Sequence, residues 1–547
     1  LTGAWARERS IKERKLEHGI QSIYSLRGCS SNNFNPFIAL KRENCNEYAG
    51  EVLGFSFVYS GNFLAQVEVD TYDVTRVMMG IHPHCFSWSL EKGGSFQTPE
   101  VVMVYSNDGL NKMSQTYHKL YQRRLARGKY RDQVRPILVN NWEATYFDFD
   151  EEKIMDIAGT AQKLGIELFV LDDGWFGKRN NDVAGLGDWY PNLQKLPSGI
   201  SGLSRKINNL GMKFGLWFEP EMVNKNSDLY RNHPQWILET PNRPSSHGRN
   251  QFVLDFSNPE VVIYVYNMMT EVIDKANISY IKWDMNRCMT EVYSSCHDSE
   301  SQGRVMHEYI LGVYQLYELL TSRFPEILFE SCASGGARFD PGMMYYAPQC
   351  WTSDDTDALE RLKIQYGTSM VYPVSSLGAH VSAAPNHQLL RNTPIETRAN
   401  VAYFGTFGYE LDLNKLSMDE QIKVKEQITF MKDYREIIQF GTFYRLKSPF
   451  EGNETVWMVV SQDQNTAIIG YYRTLQEVNV GYRRVKLLGL DPDKEYHVNL
   501  NNTVHYGDEL MNLGLITTDS SCGENKEKYD GTNGDYLSRI YVLKAKI

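Results

Sequence analysis

In the middle of this chain, segment after segment runs a short apolar stretch straight into carboxylates; one reads Tyr280-Ile281-Lys282-Trp283-Asp284-Met285-Asn286-Arg287. Strand candidates recur at Ile137–Asn140, Leu168–Leu171, Phe214–Phe218, Tyr280–Trp283, Ile327–Glu330 and Gln349–Thr352, with weaker ones near 374–382 and 401–405. Amphipathic helices separate them. Ile154, Ile157, Ala158, Ala161 and Leu164 fall on one helical stripe, and Ser257-Asn258-Pro259-Glu260 reads as a capping box opening another helix. About eight strand–helix units in roughly 300 residues fit a (β/α)8 barrel better than an open doubly wound sheet. A barrel of that kind gathers its strand-end side chains into one pocket at the C-terminal face, so Asp284 is the first residue to interrogate.

The flanks are patterned differently. Gly54–Tyr59 and Phe63–Val69 alternate with a period of two, as do Val456–Val460, Ala467–Tyr472 and Arg539–Leu543. Such alternation predicts antiparallel sheets. The expected organisation is an N-terminal β-sandwich with a helical connector (1–132), in which Tyr117, Leu120, Tyr121 and Leu125 share a face, the barrel (133–435) and a C-terminal β-sandwich (436–547) closed by the final run.

With 547 residues there is ample length for a large core. A formal net charge of −10 and the lack of a basic run disfavour a nucleic-acid or anionic-membrane partner. No stretch approaches the ~20 apolar residues of a membrane helix. Leu1–Glu8 has neither the basic start nor the apolar core of a signal peptide, and the missing initiator Met is expected of a fragment. The eight cysteines, Cys522 among them, are scattered without a CxxC pair, which fits reduced thiols in a cytoplasm better than zinc or redox chemistry. No GxGxxG follows an early strand and no GxxxxGK[ST] occurs, so nucleotide folds lose ground. The 34 Tyr and 10 Trp supply flat faces that suit sugar rings, although aromatic-rich β packing would use them equally.

The strand ends collect Trp142, Asp172, Asp173, Glu219, Glu221, Asp284, Cys332, Asp354, Asp355 and Asp357. For carboxylates gathered without a histidine cluster, glycoside hydrolysis is the economical chemistry: one attacks or activates water while another protonates the leaving oxygen. The pair His82 and His84 has no barrel strand beneath it; magnesium on the carboxylates is less easily dismissed, though no phosphate-handling loop accompanies it, and the expectation is of no metal or other cofactor. Each carboxylate also has a duller use as a helix cap. That use is favoured for Asp355 and Asp357, where a helix runs from Ala358 to a terminating Gly367. Asp284, with Lys282, Asn286 and Arg287 around it, reads as pocket; Trp217 and Trp283 could equally be core.

Leu171–Phe176, Gly187-Asp188-Trp189, Leu216–Met222, Lys282–Arg287, Glu330–Gly336 and Trp351–Asp357 follow one another as the motif series of glycoside hydrolase family 36, the retaining α-galactosidases, does. The resemblance spans essentially the whole chain, including Gly3-Ala4-Trp5 and Ile81-His82-Pro83. It implies an exo-acting enzyme that removes terminal α-galactose from melibiose, raffinose-type oligosaccharides and similar galactosides, with Asp284 as nucleophile and Asp354 as acid/base, about 5–5.5 Å apart. It implies that Asp172 and Asp173 accept from the 4- and 6-hydroxyls, that Lys282 and Arg249 donate on the 3- and 4-hydroxyl side, and that Trp217 forms a hydrophobic wall. Asn286 belongs to the nucleophile's motif. The Cys332 loop, with a backbone donor near Ser334, is implied to meet the 2-hydroxyl, and Trp142, Trp351 and Trp5 to line the pocket or its aglycone side. Family members carry a longer N-terminal β domain that helps build a homotetramer. Transgalactosylation, α-N-acetylgalactosaminidase activity and an inactive galactose-binding fragment are the alternatives on this scaffold.

Overall fold

The computed structural model describes residues 1–478, 481, 483–500, 502–517 and 534–546; Cys522 lies outside them. The N-terminal region forms two three-stranded antiparallel sheets. In one, β1 (Gly19–Tyr24), β4 (Phe63–Val69) and β5 (Thr75–Ile81) lie in the order β1-β4-β5; in the other, β2 (Phe37–Lys41), β3 (Val52–Val58) and β6 (Glu100–Ser106) lie in the order β2-β3-β6. The alternation in β3 and β4 is that of a half-buried sheet, with Val52, Phe57, Phe63, Ala65 and Val67 turned inward. A helix over Gly109–Leu120 leads out, running on into a π-helical turn at Tyr121–Leu125. Tyr117 and Tyr121 are its buried face; Leu120 and Leu125 are only half-buried.

The centre is a closed barrel of parallel strands: β7 (Leu138–Asn140), β8 (Leu168–Leu171), β9 (Lys213–Phe218), then β12 (Tyr280–Trp283), β13 (Leu328–Ser331), β14 (Gln349–Trp351), β15 (Leu377–Ser382) and β16 (Thr406–Glu410), which pairs back to β7. A two-stranded ribbon, β10 (Met222–Val223) with β11 (Phe252–Val253), stands above β9. The strands are buried on both faces, the expected state of a parallel sheet wrapped in helices. Among the described residues no helix is long and apolar enough to cross a membrane.

Three local expectations are corrected. The eighth strand is not at 401–405: Ile395–Ala402 is helical and the strand begins at Thr406, because the apolar run Val401–Phe404 packs as helix and turn against the barrel. Ser257 does not cap; Asn258 does, accepting from Glu260 N, with Pro259 in the first turn where its missing N–H costs nothing, while the Ser257 hydroxyl is drawn to Asp255. Gly367 does not end its helix, which runs from Ala358 to Thr368. It is glycine because a Cβ there would lie 1.9 Å from the Arg9 carbonyl oxygen.

The C-terminal sheet is antiparallel in the order β17-β18-β19-β24-β21-β22, made of β17 (Thr442–Lys447), β18 (Glu454–Val460), β19 (Thr466–Arg473), β21 (Glu495–Val498), β22 (Thr503–Tyr506) and β24 (Leu537–Ala545). A ribbon of β20 (Arg484–Val485) with β23 (Leu515–Ile516) covers it. The final strand is inserted between β19 and β21 and is not an edge. Buried polar contacts fasten both flanks to the centre. Asp340 accepts from the Ser30 and Ser60 hydroxyls at 2.7 Å each, and Arg445 of β17 donates to the Ser369 carbonyl at 2.9 Å while also pairing with Glu47 of the N-terminal region.

Candidate active site

The ends of the barrel strands open into one cavity of about 680 Å³. All thirteen candidate residues line it: Trp5, Trp142, Asp172, Asp173, Trp217, Arg249, Lys282, Asp284, Asn286, Cys332, Ser334, Trp351 and Asp354.

Asp284 leaves β12 with its backbone N–H still bonded to the Phe218 carbonyl at 2.8 Å, which fixes the carboxylate at the strand end. Oδ1 accepts from Met285 N at 2.8 Å and Ser334 N at 3.4 Å; Oδ2 accepts from Asn286 Nδ2 at 2.7 Å and the Trp217 indole at 3.3 Å. Every partner is a donor, a set that a carboxylate fits. Asn286 is itself held by the Ser334 hydroxyl, 3.0 Å from its Oδ1, and Ser334 takes a left-handed φ of 44° to bring its N–H and hydroxyl to this corner.

Asp354 follows β14. The Trp351 indole donates to Oδ1 at 3.1 Å and the Trp5 indole to Oδ2 at 2.8 Å. Burial, then the charge of Asp284, raise its pKa above the ordinary aspartate value, while the Trp5 bond opposes them. Trp5 arrives from the start of the chain because the neighbouring residues are clamped to the barrel. Glu8 accepts from the Ser353 hydroxyl at 2.5 Å, and Arg9 donates to Thr368 Oγ1 at 2.6 Å and the Gly336 carbonyl at 3.0 Å.

On the opposite wall, Asp172 Oδ2 accepts from Lys282 Nζ at 2.9 Å and Asn140 Nδ2 at 2.6 Å, and its Oδ1 accepts from Asp173 N at 2.9 Å. Burial still raises Asp172, with Lys282 pulling it down. Asp173 is gripped by Arg179, Nη2 to Oδ2 at 2.8 Å and Nε to Oδ1 at 2.9 Å. Cys332 donates its backbone N–H to Trp283 at 2.6 Å, and its thiol is pushed well above its usual value by burial and then by Asp284. Trp142 stands edge-on to Tyr146 and Phe147, and Arg249 is exposed at the rim with φ 52°.

Four strand-end carboxylates stay out of the cavity lining. Glu221 is sealed in an ion pair with Arg338, both fully buried, and accepts from Tyr309 at 2.6 Å and from Trp283, which stacks on Tyr317 and is core. Asp357 caps its helix by accepting from Leu359 and Glu360 N–H; Asp355 Oδ1 accepts from Asp357 N. Glu219 lies behind Asp284, its pKa raised to about 8 by burial and then by Asp284. His380 lies within β15 and bonds Glu410 at 3.0 Å.

Glu143 and Glu410 line the cavity and were not anticipated. Burial pushes Glu410 up, but the His380 bond carries it below the ordinary value; Glu143 is raised well above by burial and then by Glu410. Glu410 ends β16 and was missed with the strand. Arg27, Asn32 and Asn33 also reach the cavity, from an N-terminal loop that carries no local signal.

A melibiase family model matches residues 95–441, and the N- and C-terminal domain models of glycosyl hydrolase family 36 match 1–91 and 454–543. The chain belongs to glycoside hydrolase family 36. Within it, alpha-galactosidase AgaA of Geobacillus stearothermophilus is 56% identical over 545 residues, covering 100% of this chain and 73% of that protein. Alpha-galactosidase Mel36A of Lactobacillus acidophilus is 46% identical with the same coverage. A crystal structure of a substituted form of AgaA in complex with raffinose superposes with a TM-score of 0.96 at 56% identity, covering 100% of this chain and 74% of that one. The barrel and the two antiparallel flanks are thus the architecture of family 36 α-galactosidases.

Proposed function

We propose that this family 36 protein hydrolyses terminal α-D-galactosyl residues from melibiose, raffinose-type oligosaccharides and similar galactosides by a retaining double displacement. The observation that carries the mechanism is the contrast between two carboxylates lining one cavity. Asp284 sits among four donors, whereas burial and the charge of Asp284 favour the acid form of Asp354.

In the first step an Asp284 oxygen attacks the anomeric carbon, the bond to the aglycone oxygen breaks, and that oxygen takes the proton of Asp354. A galactosyl ester on Asp284 results. In the second step Asp354, now ionised and stabilised by the Trp5 and Trp351 indoles, takes a proton from water, which attacks the anomeric carbon and frees Asp284. Two inversions leave α-galactose. Asp172, Lys282 and Asp173 form a polar wall suited to the axial 4-hydroxyl and the 6-hydroxyl; the Ser334 N–H and Cys332 face the 2-hydroxyl; Trp217 covers the apolar face of the ring. Arg249, exposed on the cavity lining, is suited to donate on the 3- and 4-hydroxyl side with Lys282, and Trp142 is suited to the pocket wall or its aglycone side.

The free thiols among the described residues agree with a cytoplasmic location, and the family resemblance supports a homotetramer, which light scattering on the longer protein would test. The function is tested by following melibiose and raffinose hydrolysis by NMR. α-Galactose as the first product is expected; β-galactose first, or predominant transfer to added sucrose, would overturn the hydrolytic retaining reading.

A further inference from the structure

We propose that Cys288 and Cys29 form a thiol–disulfide exchange site on the wall of the cavity, which takes small anionic disulfides such as oxidised glutathione and ends as a cross-link between the N-terminal β region and the barrel. Cys288 stands four residues beyond Asp284 and lines the cavity, half-buried. Cys29 lies fully buried on the connection between β1 and β2. The two segments run together: Met289 N donates to the Arg27 carbonyl at 2.9 Å, and a Cβ on Gly28 would lie 2.5 Å from the Met289 Cβ. This pairing sets Cys29 and Cys288 on adjoining segments, with the Arg27 guanidinium 3.7 Å from the Cys288 sulfur.

The pair is chemically asymmetric. The neighbouring Cys29 thiol, the Arg27 guanidinium and Arg287 all favour the Cys288 thiolate. Cys288 and burial hold Cys29 as a thiol. One cysteine is therefore the attacking group and the other the resolving group. Arg27 is exposed and has no carboxylate partner among the described residues, so its charge is available to an anionic reagent entering the cavity. Cys332 shares the cavity but is buried and held protonated. Cys85 and Cys296 are exposed, yet neither lines the cavity.

The steps balance. The Cys288 thiolate attacks one sulfur of the reagent, forms a mixed disulfide and expels one thiolate. Cys29 then attacks the Cys288 sulfur, giving its proton to the second thiolate as that group is expelled. The protein has lost two hydrogens and the reagent disulfide has become two thiols.

The test treats the intact protein with a limiting amount of oxidised glutathione, blocks the remaining thiols with iodoacetamide and maps the peptides over time. Cross-linked Cys29–Cys288 peptides are expected before any adduct on Cys85 or Cys296. In Cys29→Ser a stable glutathione adduct should accumulate on Cys288, and in Cys288→Ala, Cys29 should stay reduced. Adducts on Cys85 or Cys296 ahead of Cys288, or oxidation of Cys29 without Cys288, would overturn the assignment. A loss of galactoside hydrolysis that dithiothreitol reverses is expected alongside; only that readout rests on the proposed function.

Discussion

The indole N–H of Trp5 donates 2.8 Å to Oδ2 of Asp354, joining residues 349 apart in sequence. That bond stabilises ionised Asp354, the proposed acid/base, so it lowers the pKa that burial and Asp284 raise. Trp5→Phe should let Asp354 hold its proton to higher pH. The alkaline limb of kcat/KM, set by loss of that proton, is expected to move up, and the base step to slow, with activity falling roughly 10-fold for the loss of about 1.4 kcal/mol. A pH–rate profile checks this; an unmoved limb would remove Trp5 from the account.

Lys282 and Asp172 are both buried, with 2.9 Å between Nζ and Oδ2. Lys282→Met leaves a buried carboxylate with only Asn140 and a backbone N–H, and a loss of about 3–5 kcal/mol in stability is expected from denaturant unfolding. The double variant with Asp172→Asn should recover part of that stability and none of the activity. Equal stability of the single and double variants would argue against the pair.

Glu219 titrates at about 8 in the folded protein, raised by burial and then by Asp284. Unfolded, it ionises near the ordinary glutamate value, so between these pH values the folded state binds the extra proton. Its contribution therefore falls as pH rises through that window and levels off above about 8. Glu219→Gln keeps the neutral shape, and a flip of the Gln251 amide, whose Nε2 donates to Glu219 Oε2 at 3.0 Å, would turn its unpartnered Oε1 to accept from the new amide. The variant's Tm should decline less than the parent's between pH 5 and 8; parallel curves would contradict the assignment.

The Glu221–Arg338 pair is fully buried and stands apart from the cavity. Arg338→Met should cost about 3–5 kcal/mol by stranding Glu221. The fraction that stays folded should keep kcat within a fewfold of the parent, measured per folded molecule by active-site titration. A selective collapse of kcat would bring Glu221 into the chemistry.

Most of this site is legible in the sequence because barrel geometry converts "residue after a strand" into "residue in the pocket". Asp172, Asp284 and Asp354 need only their own strands to be recognised. What local pattern could not separate were carboxylates at the same kind of position with different partners. Glu221 faces Arg338, which lies 117 residues away, and Glu219 lies behind Asp284. Glu410 was lost because Val401–Phe404 is apolar enough to imitate a strand, whereas the strand itself carries Gly408 where a Cβ would meet His380 at 2.8 Å. Cys288 and Cys29 meet only because two distant loops are bonded through Arg27 and Met289, a contact without periodicity.

The central claim is that Asp284 becomes a galactosyl ester and that Asp354 serves both steps. In Asp354→Ala, a dinitrophenyl α-galactoside needs no acid to depart, so the first step proceeds while the second, lacking its base, stalls. Peptide mapping after rapid quenching should find the galactosyl group on Asp284. An adduct on another carboxylate, or steady turnover with no adduct, would contradict the account.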